Sequence, residues 1–236
     1  MCYTLLHMEN ELFHIMDRGV DKRQVFMDDQ DYFRFIHDLY EFNDEKPSNS
    51  THFMFYNSPS WDIGCPKLEI RRRKRDCLVK IHAFVLMPNH YHLFISAVVE
   101  DGIPKFMKKL NMGYSKYFNE KNERKGALWQ GKYKSVPVTG DGHFLYLPYY
   151  IHFNPLDLVA PEWRKRNIPN KEKAIEFLKT YRWSSHLDYL GQKNFPSVTD
   201  RSFLLKCFGG TEGYSKAFEN EMKNFSMENV MSITLE

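Results

Sequence analysis

The sequence predicts an α+β fold: an antiparallel sheet with helices on one face, followed by a C-terminal helical extension. Three observations predict it. The run Leu78-Val79-Lys80-Ile81-His82-Ala83-Phe84-Val85-Leu86, the turn Met87-Pro88-Asn89 and the apolar stretch that continues to residue 98 read as a hairpin of two central strands. Apolar residues recur at three- and four-residue spacing on either side of that hairpin, which marks two helices. Shorter strand-like stretches stand before the first helix and after the second. Strand, helix, two strands, helix, strand is the ferredoxin-like (RRM-like) order.

Each element has its own signal. Glu11 to Met16 reads as the first strand, ending or bending at Asp17-Arg18-Gly19-Val20. Asp28 is a natural N-cap for a helix from about Asp29 to Phe42, with Phe33, Ile36, Leu39 and Tyr40 expected on its inner face. Residues 43–76 are rich in Asn, Ser and Pro and end in Arg71-Arg72-Arg73-Lys74-Arg75, the pattern of a surface insertion. Ile103, Phe106, Met107, Leu110, Tyr114, Tyr117 and Phe118 mark a second helix to about Asn122, and Gly131 to Val138 a fourth strand. Both helices are expected on one sheet face, leaving the other open. Residues 1–155 thus form one domain and 156–236 the extension, with a helix near 171–180 and a polar tail from about Asn220.

Composition narrows the class. Among 236 residues, 42% are hydrophobic and 16% aromatic, which is ample for a packed core. No run of eighteen apolar residues and no basic segment leading into a long apolar one is present, so a cytoplasmic protein is expected. Cysteines at 2, 65, 77 and 207 form no C-x-x-C pair and point to free thiols rather than a structural zinc site. A net charge of +3 is too small to imply nucleic acid by itself, so the case rests on local clusters.

The chemistry concentrates at His90-Tyr91-His92. Strand residues alternate faces, so His90 and His92 share one side while Tyr91, Leu93 and Ile95 suit the side under the helices. Two imidazoles on one strand face can share a divalent metal. In the segment Phe144 to Pro155, Tyr150 and Asn154 lie four residues apart and so on one helix face. Metal-binding imidazoles, a hydroxyl nucleophile and a neutral oxygen ligand are the parts of a phosphoryl-transfer site.

Four blocks carry a family resemblance: HAFVLMPNHYHLFI at 82–95, ALWQGKYKSVPV at 127–138, YYIHFNPL at 149–156 and YRWSSHLDYLG at 181–191. In this order they resemble the single-tyrosine HUH transposases, and especially the REP-associated tyrosine transposases. The resemblance implies the ferredoxin-like fold, Tyr150 as nucleophile, and His90, His92 and Asn154 as ligands of Mg²⁺ or Mn²⁺. It further implies cutting and rejoining of hairpin-bearing single-stranded DNA through a 5′-phosphotyrosine, by a monomer or a homodimer.

Rival readings stand beside these. Tyr149 is five residues from Asn154, about 140° around a helix, and Tyr146 about 80° but two turns away, which favours Tyr150. Pro148 should kink that helix unless it sits in the first turn. Asn154 before Pro155 also suits a helix C-cap. Trp129, Lys132, Tyr133 and Lys134 mix aromatic and basic residues as single-strand-binding surfaces do. Arg71 to Arg75, and Arg18 beside Gly19, are further candidates for DNA contact, though a charged run is more often a solvated face. Tyrosine's ordinary pKa of ~10 requires something to draw off or stabilise its charge, and the sequence does not identify that group. The alternative function is a non-catalytic nucleic-acid-binding regulator on the same fold.

Overall fold

The computed structural model describes residues 11–47, 75–165 and 167–224. A four-stranded antiparallel sheet, β1 (Leu12–Arg18), β2 (Val79–Met87), β3 (His90–Ala97) and β4 (Lys134–Pro137), is ordered β2-β3-β1-β4. Helices α1 (Asp29–Glu41) and α2 (Gly102–Lys121) complete the ferredoxin-like order. Asp28 caps α1 as expected, its carboxylate accepting from the Asp31 N–H at 3.1 Å. Ile36 and Leu39 point inward, but Tyr32 and Phe35 share the buried stripe instead of Phe33 and Tyr40. Tyr32, Phe35, Ile36 and Leu39 follow the i, i+3, i+4, i+7 spacing of a single face, and Tyr40 falls beyond its edge.

Register fixes the two faces. Tyr91, Leu93 and Ile95 pair with Asp17, Ile15 and Phe13, and the three β3 residues pack into one core with Phe35, Phe106, Leu110 and Tyr114 of α1 and α2. His90 and His92 pair with Arg18 and Met16 on the opposite face.

That opposite face is not open, which corrects the sequence expectation. α3 (Asp141–Phe153) crosses it, continuing through Pro148 as one helix. Helices α4 (Lys171–Thr180), α5 (His186–Tyr189), α6 (Ser202–Phe208) and α7 (Gly210–Asn224) follow, and Tyr189, Leu204, Tyr214, Phe218 and Met222 join Ala83, Val85 and Phe94 in a second core. Met222 is fully buried, so the expected polar tail at 220 begins instead as packed helix. Segment 183–185 lies along the β2 edge: Leu86 N–H donates to Trp183 O at 2.9 Å, and Ser185 N–H to Phe84 O at 3.0 Å. The extension therefore completes the second layer of the fold.

Its seam is polar. The Tyr214 hydroxyl lies 2.7 Å from His152 Nδ1 and 2.9 Å from His186 Nδ1, while His152 Nε2 is 2.7 Å from Ser185 Oγ. Burial pushes His186 down to about 3 and His82 to about 4, and it holds His152 well below the usual imidazole range with help from the nearby His186. These imidazoles stay neutral in the fold but take up protons near pH ~6.5 once unfolded. Their stabilising share is therefore complete above that pH and is lost as pH falls toward their folded values. At pH 5 the loss is about 2 kcal/mol per histidine as an upper figure. Asp17, raised to about 6 by burial, acts in the opposite sense, as do Asp188 and Glu221, also raised by burial, while His92 and His143, lowered by burial, add to the three histidines of the seam. The thermal midpoint should fall steadily between pH 7 and 5, and replacing Tyr214 with Phe should not remove the trend. A midpoint independent of pH over that range would contradict the neutral-histidine seam.

Candidate active site

The site is assembled from three pieces of chain. β3 supplies His90 and His92, whose ring centroids are 5.0 Å apart. β1 supplies His14, which the sequence reading did not single out. Its Nε2 lies 2.9 Å from His92 Nδ1, and the two rings are stacked at 5.1 Å. α3 supplies Tyr150, whose ring meets both imidazoles edge-on, at 5.8 Å from His14 and 5.7 Å from His92. The tyrosine thus stands over the histidine pair of its own chain.

The neighbouring tyrosines are placed elsewhere. Tyr149 faces the second core, 5.4 Å from the Phe208 ring and 6.1 Å from that of Tyr214. Tyr146 lies beside Tyr150, 6.3 Å between ring centres. Asn154 ends the helix, and its Nδ2 donates to the Tyr150 carbonyl at 2.8 Å. The same carbonyl accepts the Asn154 backbone N–H, so the residue grips the helix end through both its main chain and its side chain. Its Oδ1 accepts from Arg164 Nη2 at 3.2 Å.

Arg164 is the second group the sequence reading missed. It lies in the 3₁₀ segment Pro161–Lys165, which carries no periodic signal. Asp157 holds it with both carboxylate oxygens, Nε at 2.8 Å and Nη2 at 2.6 Å, and also accepts from Trp163 Nε1 at 2.5 Å. From that anchor Arg164 Nη1 reaches the Tyr150 hydroxyl at 3.4 Å. Tyr150 is 1% exposed and His92 and Asn154 are fully buried, whereas the Arg164 side chain is 27% exposed.

Burial, then the positive charges of Arg164 and Arg18, push His92 down to about 3, so it is a neutral imidazole and keeps a lone pair for a ligand. His90 Nδ1 lies 2.6 Å from Asn89 Oδ1. A carbonyl oxygen only accepts, so Nδ1 is the donor of this contact and Nε2 is the nitrogen left for a ligand to meet. A ring N–H fixed on a carbonyl is the usual second contact of a metal-binding histidine. The Asn89 turn is itself held by Gly19, whose N–H donates to Asn89 O at 2.8 Å. A Cβ at Gly19 would meet Arg23 O at 2.5 Å, so only glycine fits that approach. Among the described residues no group of three or more His, Cys, Asp or Glu could hold a metal ion, so a site here needs the Asn154 amide beside the two imidazoles.

The candidates for DNA contact divide. Arg18 lies across from His90, and Lys134 across from Met16, which puts both on the histidine face. Lys132 is exposed. Trp129 is corrected to a core residue: it is 7% exposed, its Nε1 donates to Asn111 O at 3.2 Å, and its ring packs against Tyr91 and Tyr114 under the helices. Tyr133 packs against that same core and offers no open ring on the histidine face. Arg75 lies over the Tyr40 ring at 3.6 Å and donates to Tyr40 O at 2.7 Å, away from the histidines. Arg71, Arg72, Arg73 and Lys74 lie outside the described residues.

Residues 67–154 match the family described as Transposase IS200 like. This is the kind of protein that the four sequence blocks resemble. The matched stretch includes His90, His92, Tyr150 and Asn154 and leaves out His14, Asp157 and Arg164. A solved structure of a REP-associated tyrosine transposase bound to a REP hairpin is similar at 14% identity and a TM-score of 0.45, over 81% of this chain and 88% of that one. No curated protein matches the sequence. No helix among the described residues is long and apolar enough to cross a membrane.

Proposed function

We propose that this IS200-like transposase relative is a metal-dependent nickase and strand transferase for hairpin-bearing single-stranded DNA. The observation that carries the reading is Tyr150 seated edge-on to the His92 ring, with Asn154 one helical turn away. In the reaction Tyr150 Oη forms a bond to phosphorus while the P–O3′ bond breaks. The phenol proton is balanced by the proton gained at the released 3′-hydroxyl. The product is a 5′-phosphotyrosine, which keeps the phosphodiester's bond energy and lets a second 3′-hydroxyl reverse the step without ATP.

His90, His92 and Asn154 would hold Mg²⁺ or Mn²⁺, and the donor types fit: two imidazoles, each held through one ring nitrogen, and an amide oxygen. Such an ion, when bound, polarises the scissile phosphate and offsets charge in the transition state. The protein's own part is to fix the tyrosine ring, present the imidazoles on one strand face and bring phosphate to the site past Arg18 and Lys134.

The test is to incubate the protein with end-labelled hairpin oligonucleotides and Mg²⁺ and look for a covalent protein–DNA band. The band should form with hairpin-bearing single strands and be absent when the same sequence is annealed to its full complement, because a continuous duplex keeps the flanking bases stacked away from the protein. Binding should weaken steeply with salt, since lysine and arginine contacts to phosphate release counterions. Efficient cutting of fully paired linear DNA would overturn the proposal.

A further inference from the structure

Asp157 and Arg164 form a fixed fork, one arm of which reaches the Tyr150 hydroxyl at 3.4 Å. We infer that Arg164, anchored by Asp157, is a positioning residue that orients the Tyr150 hydroxyl and the Asn154 amide and supplies a preorganised donor to the tyrosine oxygen as negative charge moves on and off it. The inference rests on the reading of Tyr150 as nucleophile. It goes beyond that reading because neither residue belongs to the matched family segment, which ends at Asn154.

Three features of the geometry carry it. First, the guanidinium is held by two parallel bonds from one carboxylate, 2.8 Å and 2.6 Å, an arrangement that fixes the plane of the group as well as its place. Trp163 Nε1 on the same carboxylate, and the Trp163 ring 4.9 Å from the guanidinium carbon, restrict it further. Second, the remaining donors point at two functional atoms: Nη1 toward Tyr150 Oη at 3.4 Å and Nη2 toward Asn154 Oδ1 at 3.2 Å. The amide is thereby held with its nitrogen on the Tyr150 carbonyl and its oxygen toward the site. Third, the fork is the part of this group that meets solvent: the Arg164 and Asp157 side chains are 27% and 26% exposed, against 1% for Tyr150. A phosphate that approaches Tyr150 from that side passes the guanidinium.

Chemistry gives the fork its use. In cleavage the tyrosine oxygen gives up its proton as it bonds to phosphorus, and in rejoining it leaves phosphorus as an oxyanion. A donor already fixed beside that oxygen needs no reorganisation at either moment, and removing one such donor typically slows a reaction by ~10²- to 10³-fold. Asp157 draws off part of the positive charge, so direction matters more here than net charge. Lysine at 164 would keep the charge and lose the fork.

The experiment measures single-turnover formation of the covalent adduct on a hairpin oligonucleotide with Mg²⁺, beside the dissociation constant for the same oligonucleotide. Arg164→Ala should form adduct ~10²-fold more slowly with affinity changed by less than about threefold, and millimolar guanidinium should restore part of the rate. Arg164→Lys should remain slow, and Asp157→Asn, which keeps the shape of the site, should slow the reaction with unchanged affinity. Circular dichroism identifies a variant that has not folded, and Asp157→Asn then serves as the reading. A variant as fast as wild type or faster, or a slowing that simply follows weaker binding, would overturn the role. If the wild-type chain itself forms no adduct, the proposed function fails and this role with it. A wild-type adduct that depends on Tyr150 but not on Arg164 sinks this inference alone.

Discussion

Tyr150→Phe should abolish the covalent adduct and strand cleavage while leaving hairpin binding and stability close to those of wild type. The substitution removes one oxygen and keeps the ring, and it is the ring that packs edge-on against His14 and His92 and lies 6.2 Å from Trp163. The hydroxyl accepts from Arg164 at a long 3.4 Å, and loss of such a bond costs about 1 kcal/mol or less. Chemistry loses its nucleophile outright. Tyr149→Phe and Tyr146→Phe serve as controls: the first ring faces Phe208 and Tyr214, and the second stands beside Tyr150 at 6.3 Å. Electrophoresis under denaturing conditions separates the adduct from free oligonucleotide. A Tyr150→Phe chain that still becomes attached to DNA, with Tyr149→Phe or Tyr146→Phe inactive, would move the nucleophile.

Much of this site was legible because strand alternation is a strict rule. Alternation alone assigns His90 and His92 to one face and Tyr91, Leu93 and Ile95 to the other, and the register agrees. His14 obeys the same alternation on β1, but its meeting with His92 depends on how β1 and β3 are registered, and no local pattern states that. The open face was misjudged for a related reason. The helices at 171–180 and 202–224 show amphipathic spacing, yet spacing says that a face is buried and not which surface buries it. Trp129 misled through its neighbours: lysines at 132 and 134 give the segment a single-strand-binding composition, while the tryptophan itself turns under the helices onto Tyr91. Arg164 sits in a short 3₁₀ segment where no period exists to mark it.

The histidine pair carries the other large effect. His90→Ala combined with His92→Ala should remove both metal-dependent activity and measurable Mn²⁺ or Mg²⁺ binding in the presence of hairpin DNA. One remaining amide oxygen cannot hold a divalent ion against its hydration, whereas two neutral imidazoles supply the stronger donors. Calorimetric titration of metal into the protein–DNA complex reads this directly. Asn154→Ala should be milder, since water can replace a neutral oxygen, though it also removes the side-chain bond to the Tyr150 carbonyl and one contact of Arg164. His14→Ala tests the supporting contact: its Nε2 lies against His92 Nδ1, and loss of such an outer partner usually costs 10- to 100-fold in affinity or activity, roughly, rather than all of it. His92 is fully buried, so its truncation leaves a cavity, and the thermal midpoint must be measured to separate unfolding from loss of a ligand. His92→Gln, which keeps volume and a polar tip, is the folded comparison. Metal affinity equal to wild type in a folded double-histidine variant would remove the imidazoles from the metal site and leave Tyr150 to be activated by the Arg164 side of the cluster alone.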